Sequence, residues 1–207
     1  MARKTKQDAE KTRQSILNAA FDVFTHKGFV RTTLGDIAAA ASVTRGAIYW
    51  HFRDKIDLFI ALSEEIETSA AMRPEDIRTD LMQSLGDLKA EMVNFLKRFE
   101  SNDRYAVFYE MVNYKTEYTD ELQPVLHRHR DIQRRFLGKA EELFARLKAQ
   151  GLVRNDLNPT HASLSVLAFV VGLIQIWLSD RLSFCIAEVA PRLIDDFLRG
   201  MEAQDGC

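Results

Sequence analysis

Two cysteines, four prolines and nine glycines in 207 residues exclude several kinds of protein. Cys185 and Cys207 are too few for a disulfide scaffold, so a reduced, cytoplasmic setting is expected. With 46% hydrophobic residues and so little Pro and Gly, the chain is neither disordered nor collagen-like. No segment alternates apolar and polar residues between turn signals, so no sheet is expected. The longest strongly apolar stretch, Val166 to Leu178, contains Gly172 and Gln175 and falls short of a bilayer span, so no membrane partner is expected. The opening residues from Met1 to Lys6 are polar, with no apolar run behind them, so no secretory leader is expected.

Catalytic signals are also missing. There is no phosphate loop, no nucleophile–base motif and no metal-ligand spacing, so the expectation is no enzyme, no catalytic residue and no cofactor. His127 and His129, two apart on a helix, do not share a face, and no metal site is expected. Cys185 reads as a small buried apolar residue rather than a redox switch.

What is present is a charge asymmetry and a helical apolar period. The net charge is −2. Residues 1–59 nevertheless carry ten basic against six acidic side chains, a balance of +4 that leaves −6 for the remainder. Such a skew suits a basic module that meets a polyanion and an acidic body that stays clear of it. Ile16, Leu17, Ala20, Phe21 and Phe24 mark one face of a first helix, which Gly28 stops. Thr33 caps a short second helix through Ala41, with Asp36 in the capping-box position. Ser42-Val43 turns the chain, and Thr44 caps a third helix to Tyr49 or Trp50. Asp54 caps a fourth, ended by Met72-Arg73-Pro74. Beyond Pro74 longer helices follow. Leu81, Leu85, Leu88, Met92, Leu96 and Phe99 form one stripe, and a helix over Tyr105 to Lys115 comes next. Ile132, Phe136, Ala140, Leu143 and Leu147 form a further stripe, then helices open at Pro159 and near Ala187.

The short pair with its tight turn is helix-turn-helix-shaped. At about 100° per residue, Arg45, Gly46, Tyr49 and Trp50 share one arc of the third helix, while Ala47 and Ile48 turn toward a core. The arc offers a bidentate donor for guanine, an aromatic hydroxyl, and a glycine that admits close backbone approach. Thr33 and Lys55 stand at helix N-termini, which favour anions, with Thr44 and His51 nearby. Trp50 has an alternative place, packed on the fourth helix. Arg3, Lys4 and Lys6 can follow a DNA backbone or enter a minor groove.

The stretches Thr32 to Ala38 and Val43 to Lys55 closely resemble the N-terminal domain of TetR-family repressors. The opening residues and the run Thr44 to Phe52 are similar to the AcrR/TtgR group within it, repressors of multidrug efflux operons. Glu110 to Thr119 and Gly172 to Leu178 resemble that group's sixth-to-seventh-helix junction and eighth helix. The resemblance implies that Arg45, Gly46, Ala47 and Tyr49 face bases, and that Thr33, Thr44, Trp50, His51 and Lys55 hold phosphates.

The expected architecture is all-α with about nine helices. Residues 1–59 form a three-helix helix-turn-helix DNA-binding domain, and residues 60–207 a helical effector-binding and dimerisation domain. The helix Val166–Leu178 is apolar nearly all round and must be covered on both sides, on one side by a symmetry mate. Met92, Phe95, Phe99, Tyr105, Phe108, Tyr109, Met111, Phe136, Phe169 and Trp177 either fill a core or line a site for a flat hydrophobic effector, oriented by tyrosine hydroxyls and Gln175. The expected partners are double-stranded operator DNA, a second copy of the chain and a small hydrophobic effector. An efflux repressor is the leading expectation, and a TetR-type regulator of catabolic or biosynthetic genes answering to a metabolite is the alternative.

Overall fold

The computed structural model describes residues 6–114 and 122–203. Arg3, Lys4, Lys115 to Thr119 and Cys207, all discussed above, lie outside the described residues. Among the described residues α1 spans Lys6–Lys27, α2 Leu34–Ala40, α3 Arg45–His51 and α4 Lys55–Ser69. Two 3-10 turns, Pro74–Asp76 and Thr79–Leu81, lead into α5 (Leu85–Ser101) and α6 (Asp103–Tyr114). Then come α7 (Gln123–Ala149), α8 (Pro159–Ser179) and α9 (Ile186–Arg199). The only β-type pairing among these residues is an isolated bridge between Val153 and Glu202.

The chain forms two compact units, and it passes between them three times. The first comprises Met1–Ser69 and Arg104–His127, the second Ala70–Asp103 and Arg128–Cys207. The boundary expected between residues 59 and 60 thus falls inside α4, whose Phe59, Leu62 and Ile66 are buried in the first unit.

In the first unit Ile16, Leu17, Ala20 and Phe24 of α1 meet Ile37, Ile48, Phe59 and Leu62. Phe24, Phe29 and Phe59 form a mutual aromatic cluster with ring centroids 5.0–5.4 Å apart. Gly28 takes a φ of 81°, the left-handed geometry that ends α1. Phe108 and Met111 of α6 join this core, Phe108 with its ring 5.5 Å from Phe59. Arg104 clasps the group together. Its Nη2 donates to Asn18 Oδ1 (3.2 Å) and Glu65 Oε2 (3.3 Å), and its guanidinium lies over the Phe21 ring at 4.5 Å.

In the second unit α5 packs along α9 and against α8. Lys89 and Asp195 form an ion pair between α5 and α9. Phe99 meets Trp177 edge-on at 5.9 Å. The expected α5 stripe is one residue too long. Ser84 Oγ accepts the Asp87 N–H (3.1 Å) and Asp87 returns a carboxylate to the Gln83 N–H (2.8 Å), so the helix starts at Leu85. Leu81 is left in a 3-10 turn, 64% exposed. Basic side chains of α7 satisfy the carbonyls of that irregular segment: Arg146 reaches Thr79 and Met82, and Lys139 reaches Ile77. By length and mean hydropathy α8 matches a membrane span, yet Ala162, Val166, Leu173, Ile174 and Trp177 form a buried stripe along it. That stripe is the signature of a core helix.

Candidate nucleic-acid interface

Local chemistry builds the interface from its caps upward. Thr33 accepts the Asp36 N–H through its hydroxyl (3.1 Å), and Asp36 Oδ2 accepts both the Thr33 N–H (2.8 Å) and the Thr33 hydroxyl (2.7 Å). The same oxygen receives the Lys27 ammonium at 2.6 Å. Lys27, then Thr33, hold the Asp36 carboxyl at a pKa of about 2, far below the ordinary carboxylate range. Between α2 and α3, Ser42 adopts a φ of 54°, a tight turn that a short polar side chain tolerates. Thr44 then caps α3 by accepting the Ala47 N–H at 3.2 Å. Asp54 and Asp57 repeat this pairing at α4, accepting the Asp57 and Arg53 N–H groups.

One face of α3 anchors and the other is presented. Ile48 is fully buried and Ala47 half-buried. Arg45, Gly46, Tyr49 and Trp50 are exposed together, and no carboxylate lies on the helix. Arg45 Nη2 donates to the Tyr49 hydroxyl at 3.4 Å, which holds the guanidinium over the outward arc. Trp50 is 72% exposed, its ring edge-on to His51 at 4.5 Å, so it does not take the alternative place against α4. Lys6 opens α1 and is exposed; Lys4 lies outside the described residues. The Lys55 ammonium is already engaged, donating to the Phe29 carbonyl at 3.2 Å and lying 4.3 Å from the centre of its ring. Sequence reasoning did not single out two supporting cations. Lys27 steadies the α2 cap, and Arg13 lies over the Phe52 ring at 5.4 Å. Neither forms part of a local motif, so no pattern signalled it.

Residues 16–62 match the family described as bacterial regulatory proteins, tetR family, and residues 83–203 match the MAATS-type transcriptional repressor, C-terminal region. The chain belongs to the TetR family. It is 32% identical to the HTH-type transcriptional regulator AcrR of Shigella flexneri, over 92% of this chain and 89% of that protein. It is equally identical to the HTH-type transcriptional repressor BepR of Brucella suis biovar 1 (strain 1330), over 97% of both. Among solved structures it superimposes on NalD, the secondary repressor of the MexAB-OprM multidrug efflux pump in Pseudomonas aeruginosa. There the TM-score is 0.84 and the identity 30%, over 97% of this chain and 100% of that one. This TetR-family chain therefore has an N-terminal helix-turn-helix and a C-terminal helical region, and its relatives are transcriptional regulators rather than enzymes.

The aromatic set expected to line an effector site is divided between the two units of the TetR fold. Tyr105, Phe108, Tyr109 and Met111 belong to the first, where Phe108 and Met111 are core residues. Burial pushes the Tyr109 hydroxyl up to about 12, with a smaller push from Tyr114. Met92, Phe95, Phe99, Phe136, Phe169, Gln175 and Trp177 belong to the second. There Phe95 meets Phe136 edge-on at 6.3 Å, beside the Phe99–Trp177 pair. Phe169 instead stacks on Phe197 of α9 at 4.5 Å. Gln175 is exposed, roughly 160° around α8 from Trp177.

Proposed function

We propose that this TetR-family protein is a cytoplasmic, ligand-responsive repressor that binds a palindromic operator as a homodimer and controls a multidrug efflux operon. The observation that carries the reading is the outer face of α3, where Arg45, Tyr49 and Trp50 stand exposed on a doubly capped helix without a single acid. The efflux assignment draws on the similarity to NalD and the other relatives. In this reading Arg45, Gly46, Ala47 and Tyr49 meet base edges in the major groove. Thr33, Thr44, Trp50, His51 and Lys55 hold phosphates, with Lys4 and Lys6 adding charge at the chain start.

The inducer is a flat apolar compound that binds the second unit near Phe95, Phe99, Phe136 and Trp177. A complex of the relative SmeT with triclosan, 26% identical and superimposing with a TM-score of 0.79, supports that class of ligand. Release from the operator needs a coupling of only about 1–3 kcal/mol between the two binding events. The deciding experiment maps protected DNA at the protein's own locus, then screens antibiotics, biocides and metabolites for release. Protection of an efflux promoter and release by hydrophobic drugs are expected. Protection of a catabolic promoter, released only by a metabolite, replaces the efflux assignment.

A further inference from the structure

The cations of the first unit are not equally occupied. Lys27 is paired with Asp36, and Lys55 serves the Phe29 carbonyl and ring. Among the arginines of residues 6–69, Arg31 donates to the Lys27 carbonyl (3.1 Å), Arg45 to the Tyr49 hydroxyl (3.4 Å) and Arg53 to the Asp57 carboxylate (3.4 Å). Arg13 makes no hydrogen bond or ion pair with any described residue, and Glu10, one turn before it, leaves it unpaired. It is nevertheless half-buried and held in place, its guanidinium 5.4 Å from the centre of the Phe52 ring. A ring occupies only the flat side of a guanidinium, so the N–H edge of Arg13 stays open. Phe52 is the C-cap of α3, 3% exposed, and the His51 ring lies 6.1 Å from it. Arg13 is thereby seated at the end of the helix that carries Arg45 and Tyr49. Lys6 falls within roughly 20° of Arg13 around α1, so the two share a face of that helix.

We propose that Arg13 of α1 binds a DNA backbone phosphate, beside the one that His51 holds. The inference rests on the DNA-binding reading above and extends the interface to a helix outside the helix-turn-helix. The open edge of a guanidinium presents parallel N–H donors, and the oxygens of a phosphate accept them in pairs. A free arginine loses side-chain freedom when it grips such an anion, whereas one already seated on a ring has lost much of it beforehand. The contact carries no sequence information; it positions. Arg45 opens α3 and Phe52 closes it, so a phosphate gripped at Arg13 fixes the far end of α3 while Arg45 meets base edges at the near end.

The test uses the full chain, wild type or carrying Arg13→Met or Arg13→Lys, and a labelled random-sequence DNA duplex read by fluorescence anisotropy over a range of salt. Losing one phosphate contact lowers the log–log salt slope by about 0.9, which over a decade of salt is a factor of about eight. Arg13→Met should therefore bind about eightfold more weakly than wild type at about 0.1 M salt, with the gap closing toward about 1 M. Arg13→Lys keeps the charge and should keep the wild-type slope. An Arg13→Met protein with the wild-type slope overturns the proposal even if its affinity falls, because the loss then comes from the support of Phe52. A second measurement needs no variant. In the wild-type chain, bound duplex should shield Arg13 from the arginine reagent phenylglyoxal, read by peptide mass spectrometry, and equal labelling with and without DNA overturns the proposal. A wild-type chain that does not bind the duplex overturns the DNA-binding reading itself, and is recognised before any variant is compared.

Discussion

Lys27 Nζ and Asp36 Oδ2 lie 2.6 Å apart, joining the last residue of α1 to the cap of α2. One carboxylate oxygen thereby serves the ion pair, the Thr33 backbone and the Thr33 hydroxyl. Because folding lowers the Asp36 pKa to about 2, its contribution is complete above the ordinary value near 3.8 and vanishes as pH falls through about 2. Asp36→Asn should therefore lower the melting temperature at pH 7, and the gap from wild type should close between pH 4 and pH 2. A gap that stays constant across that window would show that the carboxylate charge does not support the cap.

Base reading and phosphate holding separate experimentally. Arg45→Ala should cost about 1–3 kcal/mol of operator binding and relax preference at one position per half-site. Lys55→Ala should weaken operator and random DNA alike, flattening the salt dependence by about 0.9 in log–log slope. Because its ammonium also serves the Phe29 carbonyl and ring, the melting temperature should fall as well. Fluorescence anisotropy at several salt concentrations, with thermal melts alongside, checks both. An Arg45→Ala protein with unchanged operator affinity removes α3 from the groove.

Arg104 joins α6 to α1 and α4 through Asn18, Glu65 and the face of Phe21. Arg104→Met keeps much of the stem and removes every donor. Urea denaturation should show a loss of about 1–3 kcal/mol, since Glu65 is left part-buried without its partner. In a double-mutant cycle, Glu65→Gln should recover part of that loss. Strict additivity of the two changes would show that the pair does not interact.

Glu100 of α5 supplies the cap that α9 lacks in its own sequence. Cys185, the residue before the helix, makes no side-chain cap, and Glu100 accepts the Ile186 and Ala187 N–H groups at 2.7 and 2.9 Å. Glu100→Ala should destabilise the second unit by about 0.5–2 kcal/mol, whereas Glu100→Gln should lose less because its carbonyl still accepts. Dimer affinity should fall with Glu100→Ala, through fraying of the first turn of α9. Calorimetry of the three proteins at matched concentration measures the order, and equal loss for Ala and Gln would assign the effect to charge alone.

The local sequence determined most of the DNA-binding half. Thr33 with Asp36, Thr44 and Asp54 with Asp57 are caps whose partners lie within three residues, so spacing alone was enough to place α2, α3 and α4. The outward arc of α3 followed from helical period, because burying Ile48 fixes where Arg45 and Tyr49 point. Only the tertiary structure decided what depends on distant partners. Trp50 had two possible places and took the exposed one. Lys55 found the Phe29 carbonyl, and α9 found its cap 86 residues upstream. The aromatic residues of the body were visible one by one, yet their composition does not say which unit each enters; Phe108 went to the first and Phe99 to the second. Gln175 shows the same division. Its helix was legible from hydropathy, but only the buried stripe shows that the face of α8 carrying Gln175 is turned outward. Caps and periods are short-range and survive in one dimension, whereas the choice among similar apolar partners is made by packing in three.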